Sequence, residues 1–522
     1  MAFDSPGVFV NFKTPDGSVS VRAVSTSTAI FIGPTVIGRS ITGAGANTVV
    51  TPTRVSSLRD YQDAFSTAGA RSGVVSLPTA NNDITDHMGQ ALRGFFGNGG
   101  LNAYIVSLST ADSGRASGTM RVVDSGGTEL FYGLEPLSDG AWANDVSVVL
   151  TPSAIGAGFL DMTIELSLVA DGGAVSPVTE RFFGVAAAEI GNLTSNILTI
   201  EALDADPGGP RTVELDVSAP PATPLTPTAP GNLTGGVDSL GSISTELGRV
   251  FEALRDIDDV SIIVFPDRVW DANQGDYALA VAHCQIMKDR MVLVQMEDDT
   301  TDFQNAGLPQ EKFLAAYYPR ARVALPLPSG DTLTVTTNAT GHVAGVFART
   351  DELSGVYTAP AGTHATLAGV TELTHDVSQA IQARMNPFNV NALRYINGAP
   401  TIWGARTRDT GGLYEYIPVM RTGILIADSL RAALERVVFA KNTDQTWKNV
   451  RAATEAFLDT LYVAGAFQGA TASDAYRVRI GLGETMSQEE INQGILRLNA
   501  AVRPARVAEF IEIVIEQLVE TG

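Results

Sequence analysis

Val507-Ala508-Glu509-Phe510-Ile511-Glu512-Ile513-Val514-Ile515-Glu516-Gln517-Leu518-Val519 is the stretch on which the reading of this chain turns. β-Branched residues are dense at Ile511, Ile513, Val514 and Ile515, with acidic residues between them, so the segment reads as a strand. A strand that stops at the chain end has no later partner. It must pair backward in its own chain or with another chain. The other end poses the same question. Ser5-Pro6-Gly7-Val8-Phe9-Val10-Asn11-Phe12 opens on a Pro-Gly break, then Val8, Val10 and Phe12 alternate with Phe9 and Asn11. This predicts a second short strand that pairs outside its own domain.

Composition bounds the answer. A chain of 522 residues holds about three to five domains. With 44% hydrophobic and 18% charged residues it falls in the globular class and can bury large cores. The 51 glycines and 25 prolines point to many turns and β-rich layers. A single cysteine, Cys284, excludes an internal disulfide framework and suits a reducing compartment. Met1 to Pro6 has neither a basic region nor an apolar core, so no signal peptide is expected. No apolar run approaches the ~20 residues of a membrane span, so no direct membrane insertion is expected. The net charge of −22 argues against nucleic acid as a partner. That charge is uneven. Residues 380–522 carry 15 basic and 15 acidic side chains, leaving 20 basic and 42 acidic before them. The plain reading of this asymmetry is solubility; the sharper one is that the first 379 residues face solvent while the neutral end is enclosed by partners.

Taken in order, the pattern divides as follows. Residues 1–24 form an extended arm. Residues 25–109 begin an α/β core, with a buried strand at Thr28–Gly33, helices at 55–68 and 83–96, a stop at Gly97-Asn98-Gly99-Gly100, and a strand at 102–108. Residues 110–218 change to strand-like runs between Gly, Ser and Asp turns, a β-rich inserted module. Residues 219–236, with five prolines in Ala219–Pro230, read as a semi-rigid linker. Residues 237–379 resume helix–strand alternation, the second part of the core. Residues 380–505 form a C-terminal domain, with helices at 422–435 and 445–463 and strands at 436–440, 476–480 and 495–502. There Arg477 and Arg479 alternate with apolar residues, and Ser487-Gln488-Glu489-Glu490 is a capping box opening a short helix that Gly494 closes. Residues 506–522 form a C-terminal arm strand.

Catalytic signatures are weak. Gly33-Pro34-Thr35-Val36-Ile37-Gly38-Arg39-Ser40 nearly fits a phosphate-binding loop, but Arg39 replaces the lysine and Ile41–Asn47 is a poor helix start. Val123-Asp124-Ser125-Gly126-Gly127 has a nucleophile-loop look without the leading glycine. His283-Cys284 are helix neighbours pointing about 100° apart, which favours a buried structural cysteine. His87, His283, His342, His364 and His375 show no metal-ligand spacing. No catalytic residue, cofactor or metal is expected.

Several segments, in order and spacing, resemble tail sheath proteins of contractile phage tails and related contractile injection systems. They are Pro6–Val10; Thr26–Gly33; Phe95–Gly100 with Ala103–Val106; Gly140–Asn144; Ala315–Pro319; Gly341–Gly345; Trp403–Thr407; and Arg503–Phe510. Two departures stand out. Val419-Met420-Arg421 replaces a frequent basic pair, and Arg506-Val507 interrupts a compact Arg-Pro-Ala-Glu-Phe. Residues 110–220 match least.

The resemblance implies an α+β multidomain fold. It would have an α/β core, a C-terminal mixed α/β domain completed by strands from neighbouring subunits, and a β-rich outer module. Both terminal arms would exchange strands between subunits, through Val8, Phe9, Val10 and Phe12 at one end and Phe510, Ile511, Ile513, Val514 and Ile515 at the other. It implies a helical homo-oligomer of stacked rings around a tail tube protein, with baseplate and tail-terminator proteins at its ends. The assembly would form in the host cytoplasm and act in a virion tail or injection-system particle, driving the tube through a cell envelope. The short helix 487–493 is the expected tube-facing element, with Glu489, Glu490 and Gln493 available. The alternatives are a bacteriocin or extracellular injection system rather than a phage and, more remotely, a hydrolase using Ser125 or Cys284, or a non-contractile shell protein.

Overall fold

The computed structural model describes residues 20–35, 40–42, 49–65, 86–108, 116–136, 144, 146–166, 169–170, 173–174, 178–195, 197–220, 226–234, 243–270, 273–299, 302–303, 306–326, 332–507 and 509. The chain separates into two compact units, Thr26–Met420 and Met1–Ser25 with Arg421–Gly522.

In the larger unit the sequence first lays down β1 (Ala29–Gly33), β2 (Thr53–Val55), α1 (Leu58–Phe65), α2 (His87–Gly97) and β3 (Ala103–Ser107). After the β-rich region come α3 (Ile243–Ala253) and α4 (Gln274–Met287), then α5 (Thr340–Ser354) and α6 (Gln379–Met385). The strands Ile262–Val264, Met291–Gln295, Leu314–Tyr318 and Val390–Ile396 join β1 and β3 in one parallel array. Ala399–Trp403 closes one edge antiparallel, and β2 closes the other. Eight strands result. The inner ones are largely apolar, because a parallel strand is covered on both faces. Ile30, Phe31 and Ile32 have no exposed surface, and Met291–Gln295 is buried at every position. α4 packs on Met291–Gln295, and α5 packs on the Ile262 and Met291 strands with α2 against it.

The α2–α5 crossing is made of small residues. Added β-carbons at Gly341 and Gly345 would meet backbone atoms of Ala91 and Phe95 at 2.5 and 2.4 Å. Asn98 caps α2 and joins it to the next layer. Its Nδ2 donates to Gly94 O (2.8 Å) and Ala368 O (3.0 Å), and its Oδ1 accepts from Ala368 N (2.8 Å). The glycine-rich segments that carried the resemblance therefore include a close helix contact.

Residues 116–234 supply two four-stranded sheets. One runs Val178–Ala186, Phe159–Leu166, Val146–Pro152, Gly231–Asn232, and the other Leu198–Leu203, Glu129–Pro136, Gly118–Val123, Val213–Asp216. Alternation on Phe159–Leu166 buries Leu160, Met162, Ile164 and Leu166, and these meet Met120, Val122 and Leu134 of the other sheet in one core. Val323, Leu325 and Val335, from the hairpin Ala321–Pro326/Thr332–Thr337, complete it. The segment read as a linker does not run free over its described part. Thr228 N donates to Leu150 O (2.8 Å), Gly231–Asn232 pairs with Ser147–Val148, and Leu233 is buried. Its prolines space a returning edge strand, a position that tolerates missing donors.

The smaller unit holds most of α7 (Ile417–Leu434), then α8 (Asp444–Val463), α9 (Ala472–Ala475) and α10 (Gln488–Asn492). Its strands Tyr476–Arg479 and Asn499–Val502 form an antiparallel two-stranded sheet. Two expectations are corrected here. Residues 436–440 are not a strand: α7 runs into a 3-10 turn at Glu435–Val437, and Phe439 turns left-handed at φ +69°. Val438 N→Glu435 O and Ala440 N→Val437 O close the turns that a strand would leave open. The strand expected over 495–502 starts only at Asn499, because Asn442 Nδ2 holds Ile495 O (2.9 Å) and Thr485 Oγ1 holds Arg497 O (2.7 Å) in a loop.

Candidate polymerisation interface

α8 organises the smaller unit. Its apolar stripe buries Val450, Thr454, Phe457, Leu458 and Leu461. Val450 packs with Ile480 and Met486, and Trp447, Leu434, Ile491, Leu496 and Leu498 close around them. Trp447 Nε1 donates to Asn442 Oδ1 (2.7 Å), which ties α8 to the loop before it. Gly465 (φ +88°) ends the helix, where a side chain would be strained.

The two-stranded sheet follows from this packing. Tyr476, Val478 and Ile480 alternate with Arg477 and Arg479. Val478 and Ile480 are buried while both arginines are exposed. Across the ladder Arg477 faces Ala501, and Arg479 faces Asn499. α8 packs on the Tyr476–Arg479 strand, whereas Asn499, Ala500 and Ala501 are all exposed. Among the described residues no strand pairs with the outer edge of either strand. An open edge of unmet backbone donors and acceptors is what strand addition uses.

The roots of both arms lie in this unit. Val24 N donates to Ser429 Oγ on α7 (3.2 Å). Ala505 N donates to Ala466 O (2.9 Å), and Phe467 bridges Pro504. The residues expected to exchange, Val8, Phe9, Val10, Phe12, Phe510, Ile511, Ile513, Val514 and Ile515, lie outside the described residues.

The proposed tube-facing helix forms as its capping box dictates. Ser487 N donates to Glu490 Oε2 (2.9 Å), and Glu490 N to Ser487 Oγ (3.2 Å). Glu490 also meets Arg497 Nη2 at 2.9 Å. The Ser487 backbone bond, with Arg497 beside it, holds its carboxyl below the usual carboxylate range. Glu490 is thus already engaged, while Glu489 and Gln493 are exposed. Phe439 was missed as a candidate. It stands fully exposed with Val438 exposed beside it, hidden in sequence because Val-Val-Phe-Ala reads as a strand.

The candidate nucleophiles are occupied otherwise. Cys284 is fully buried, and burial pushes its thiol up. His283 stacks on Phe251, with Nε2 3.3 Å from Arg290 Nη1, and burial lowers it to about 4. Arg290 is itself buried against Asp289 (2.6 Å). Ser125 sits in a hairpin turn in which Asp124 Oδ1 accepts from Gly126 N and Thr128 N, both at 2.8 Å. Ser40, at the end of the loop resembling a phosphate site, accepts from Ser107 N at 2.9 Å. Among the described residues no cluster of His, Cys, Asp and Glu could hold a metal, and no helix is long and apolar enough to cross a membrane.

No family profile matches the chain, and no curated protein matches it. Solved structures do. The helical sheath of the anti-feeding prophage in its contracted state aligns over 99% of this chain and 100% of its own, at 21% identity and TM-score 0.59. The sheath complex of PVC, an extracellular contractile injection system, also in the contracted state, aligns over 100% of both chains at 20% identity and TM-score 0.58. The sheath tail protein from Desulfitobacterium hafniense aligns over 91% of this chain and 93% of its own, at 12% identity and TM-score 0.55. From end to end, the chain has the fold of the sheath proteins of contractile injection systems and tails.

Proposed function

We propose that the chain is the structural subunit of a contractile sheath. The observation that carries this is the whole-length fold likeness to sheath proteins captured in contracted assemblies. The subunit polymerises helically around a tail tube protein, between a baseplate and a terminator, and shortens to drive the tube through a target envelope. The likeness to the anti-feeding prophage and PVC sheaths favours an extracellular injection-system particle over a phage tail.

The open two-stranded sheet is the socket. Arms 1–24 and 506–522 of neighbouring copies add strands to it, so subunits stay linked while they rotate. Main-chain hydrogen bonds suit this role because they tolerate a change of angle between bodies joined by extended linkers. The stroke draws on inter-subunit surface buried in the contracted form, released from a kinetically trapped extended form. Glu489 and Gln493 face the tube, and the sheets of residues 116–234 form the outer ridges. The test is reconstitution: purified chain mixed with its tube protein, viewed by negative-stain microscopy. Hollow sheaths around tubes are expected. A chain that stays monomeric at high concentration with tubes present overturns the reading.

A further inference from the structure

The outward face of the two-stranded sheet is basic and unanswered. Arg477 and Arg479 are exposed, and among the described residues neither has an ion-pair or hydrogen-bond partner. Three other cations of this unit are paired: Arg451 with Glu484 (2.5 Å), Arg497 with Glu490 (2.9 Å) and Lys448 with Asp444 (2.6 Å). The residues opposite the two arginines, Ala501 and Asn499, are short, uncharged and exposed, so among the described residues that face is uncovered. Arg503, one step beyond the second strand, shares their parity and is exposed.

The C-terminal segment carries the complementary pattern. At period two, Ile511, Ile513 and Ile515 fall on one face, and Glu512, Val514 and Glu516 on the other. The N-terminal segment lacks it: Val8 to Phe12 has no carboxylate, and Lys13 follows.

We propose, resting on the strand-exchange reading above, that the Arg477/Arg479 face is an electrostatic seat for residues 510–519 of a second copy. The arm is taken with Glu512 and Glu516 over the arginines and Ile511, Ile513 and Ile515 on the face of Val478 and Ile480. The seat fixes which face of the arm turns inward. A slip of one residue would expose three isoleucines and turn two carboxylates toward the apolar side. It also distinguishes the two arms, because the N-terminal one brings Lys13 toward like charge. Opposite charges across a sheet stabilise the pair, and like charges directly opposite destabilise it.

The experiment uses full-length chain and three variants: R477E/R479E, E512R/E516R, and the four changes together. Polymer is measured by sedimentation and negative-stain microscopy, and folding by circular dichroism. Each pair variant should lose at least about tenfold in sedimentable polymer, and the combined variant should recover it. Pair variants that polymerise like the native chain overturn the seat, as does a folded combined variant that fails to recover. If a charge-reversed variant does not fold, R477Q/R479Q decides: the dependence of assembly on salt should weaken, and an unchanged salt dependence overturns the seat. Deleting residues 508–522 separates the two levels. Normal sheaths from that deletion would remove strand exchange itself. Lost assembly on deletion, with charge reversals tolerated, would remove only the electrostatic seat.

Discussion

The imidazole of His342 fills the space that a side chain at Gly94 would need: a β-carbon there would lie 2.4 Å from His342 Nδ1. The α2–α5 crossing therefore has no slack at Gly94, Gly341 or Gly345. Gly341→Ala would drive a methyl into the backbone of Ala91, and Gly94→Ala into a ring with nowhere to go. Each should cost about 1–3 kcal/mol, read as a lower denaturation midpoint with unchanged slope.

The same imidazole makes stability depend on pH. His342 is fully buried, its Nδ1 has no hydrogen-bond partner among the described residues, and burial lowers it to about 4. It is neutral when folded and takes up a proton on unfolding below its ordinary value of 6.5. Its contribution is fully present above about pH 6.5 and is lost as pH falls toward 4, on the order of 3 kcal/mol over the window. His283, also lowered to about 4, acts in the same direction. Urea melts between pH 7 and 4 should show the loss, and His342→Gln should flatten part of it. An equal slope in the variant would assign the effect elsewhere.

Phe439 holds a left-handed backbone that a bulky residue adopts only at a cost, and its ring is fully exposed. Phe439→Asn should raise the stability of the isolated subunit by about 1 kcal/mol, seen as a higher melting temperature.

Deletion of residues 1–20 or 508–522 should leave a folded monomer that does not polymerise. The Val24–Ser429 and Ala505–Ala466 bonds that close the body lie inside both cuts. Size-exclusion chromatography and electron microscopy check this, and ordinary sheaths from either deletion would contradict it.

Ser125→Ala and Cys284→Ala should leave assembly unchanged. Ser125 sits in an exposed turn held by Asp124, so its change is near neutral. Cys284→Ala opens a small buried gap worth about 1–2 kcal/mol, detectable in melts but not in polymer yield.

Much of the core was legible because its elements are locally consistent. Met291–Val294 is apolar at every position, and the strand it forms is buried along its whole length, through Gln295. α8 starts at Asp444 and ends at Val463, within a residue of the helix read at 445–463. Legibility failed where tertiary bonds outvote propensity. Val437-Val438-Phe439 has strand composition, but the turn from α7 toward α8 captures it. Residues 219–236 have linker composition, yet their last part pairs with Ser147 and Val148, a partner some eighty positions away that no local window contains. Of the expected tube-facing group, Glu490 is tied to its own cap and to Arg497, the first of which its position in the capping box foretells.

The two-stranded sheet of Tyr476–Arg479 and Asn499–Val502 has one further consequence. A sheet so small is marginal on its own and becomes secure only at three or more strands. On the proposed assembly, a subunit in the middle of the sheath would be more robust than one at the end. Wear would then begin at the tips, and whatever protein caps the last ring would set the lifetime of the whole particle.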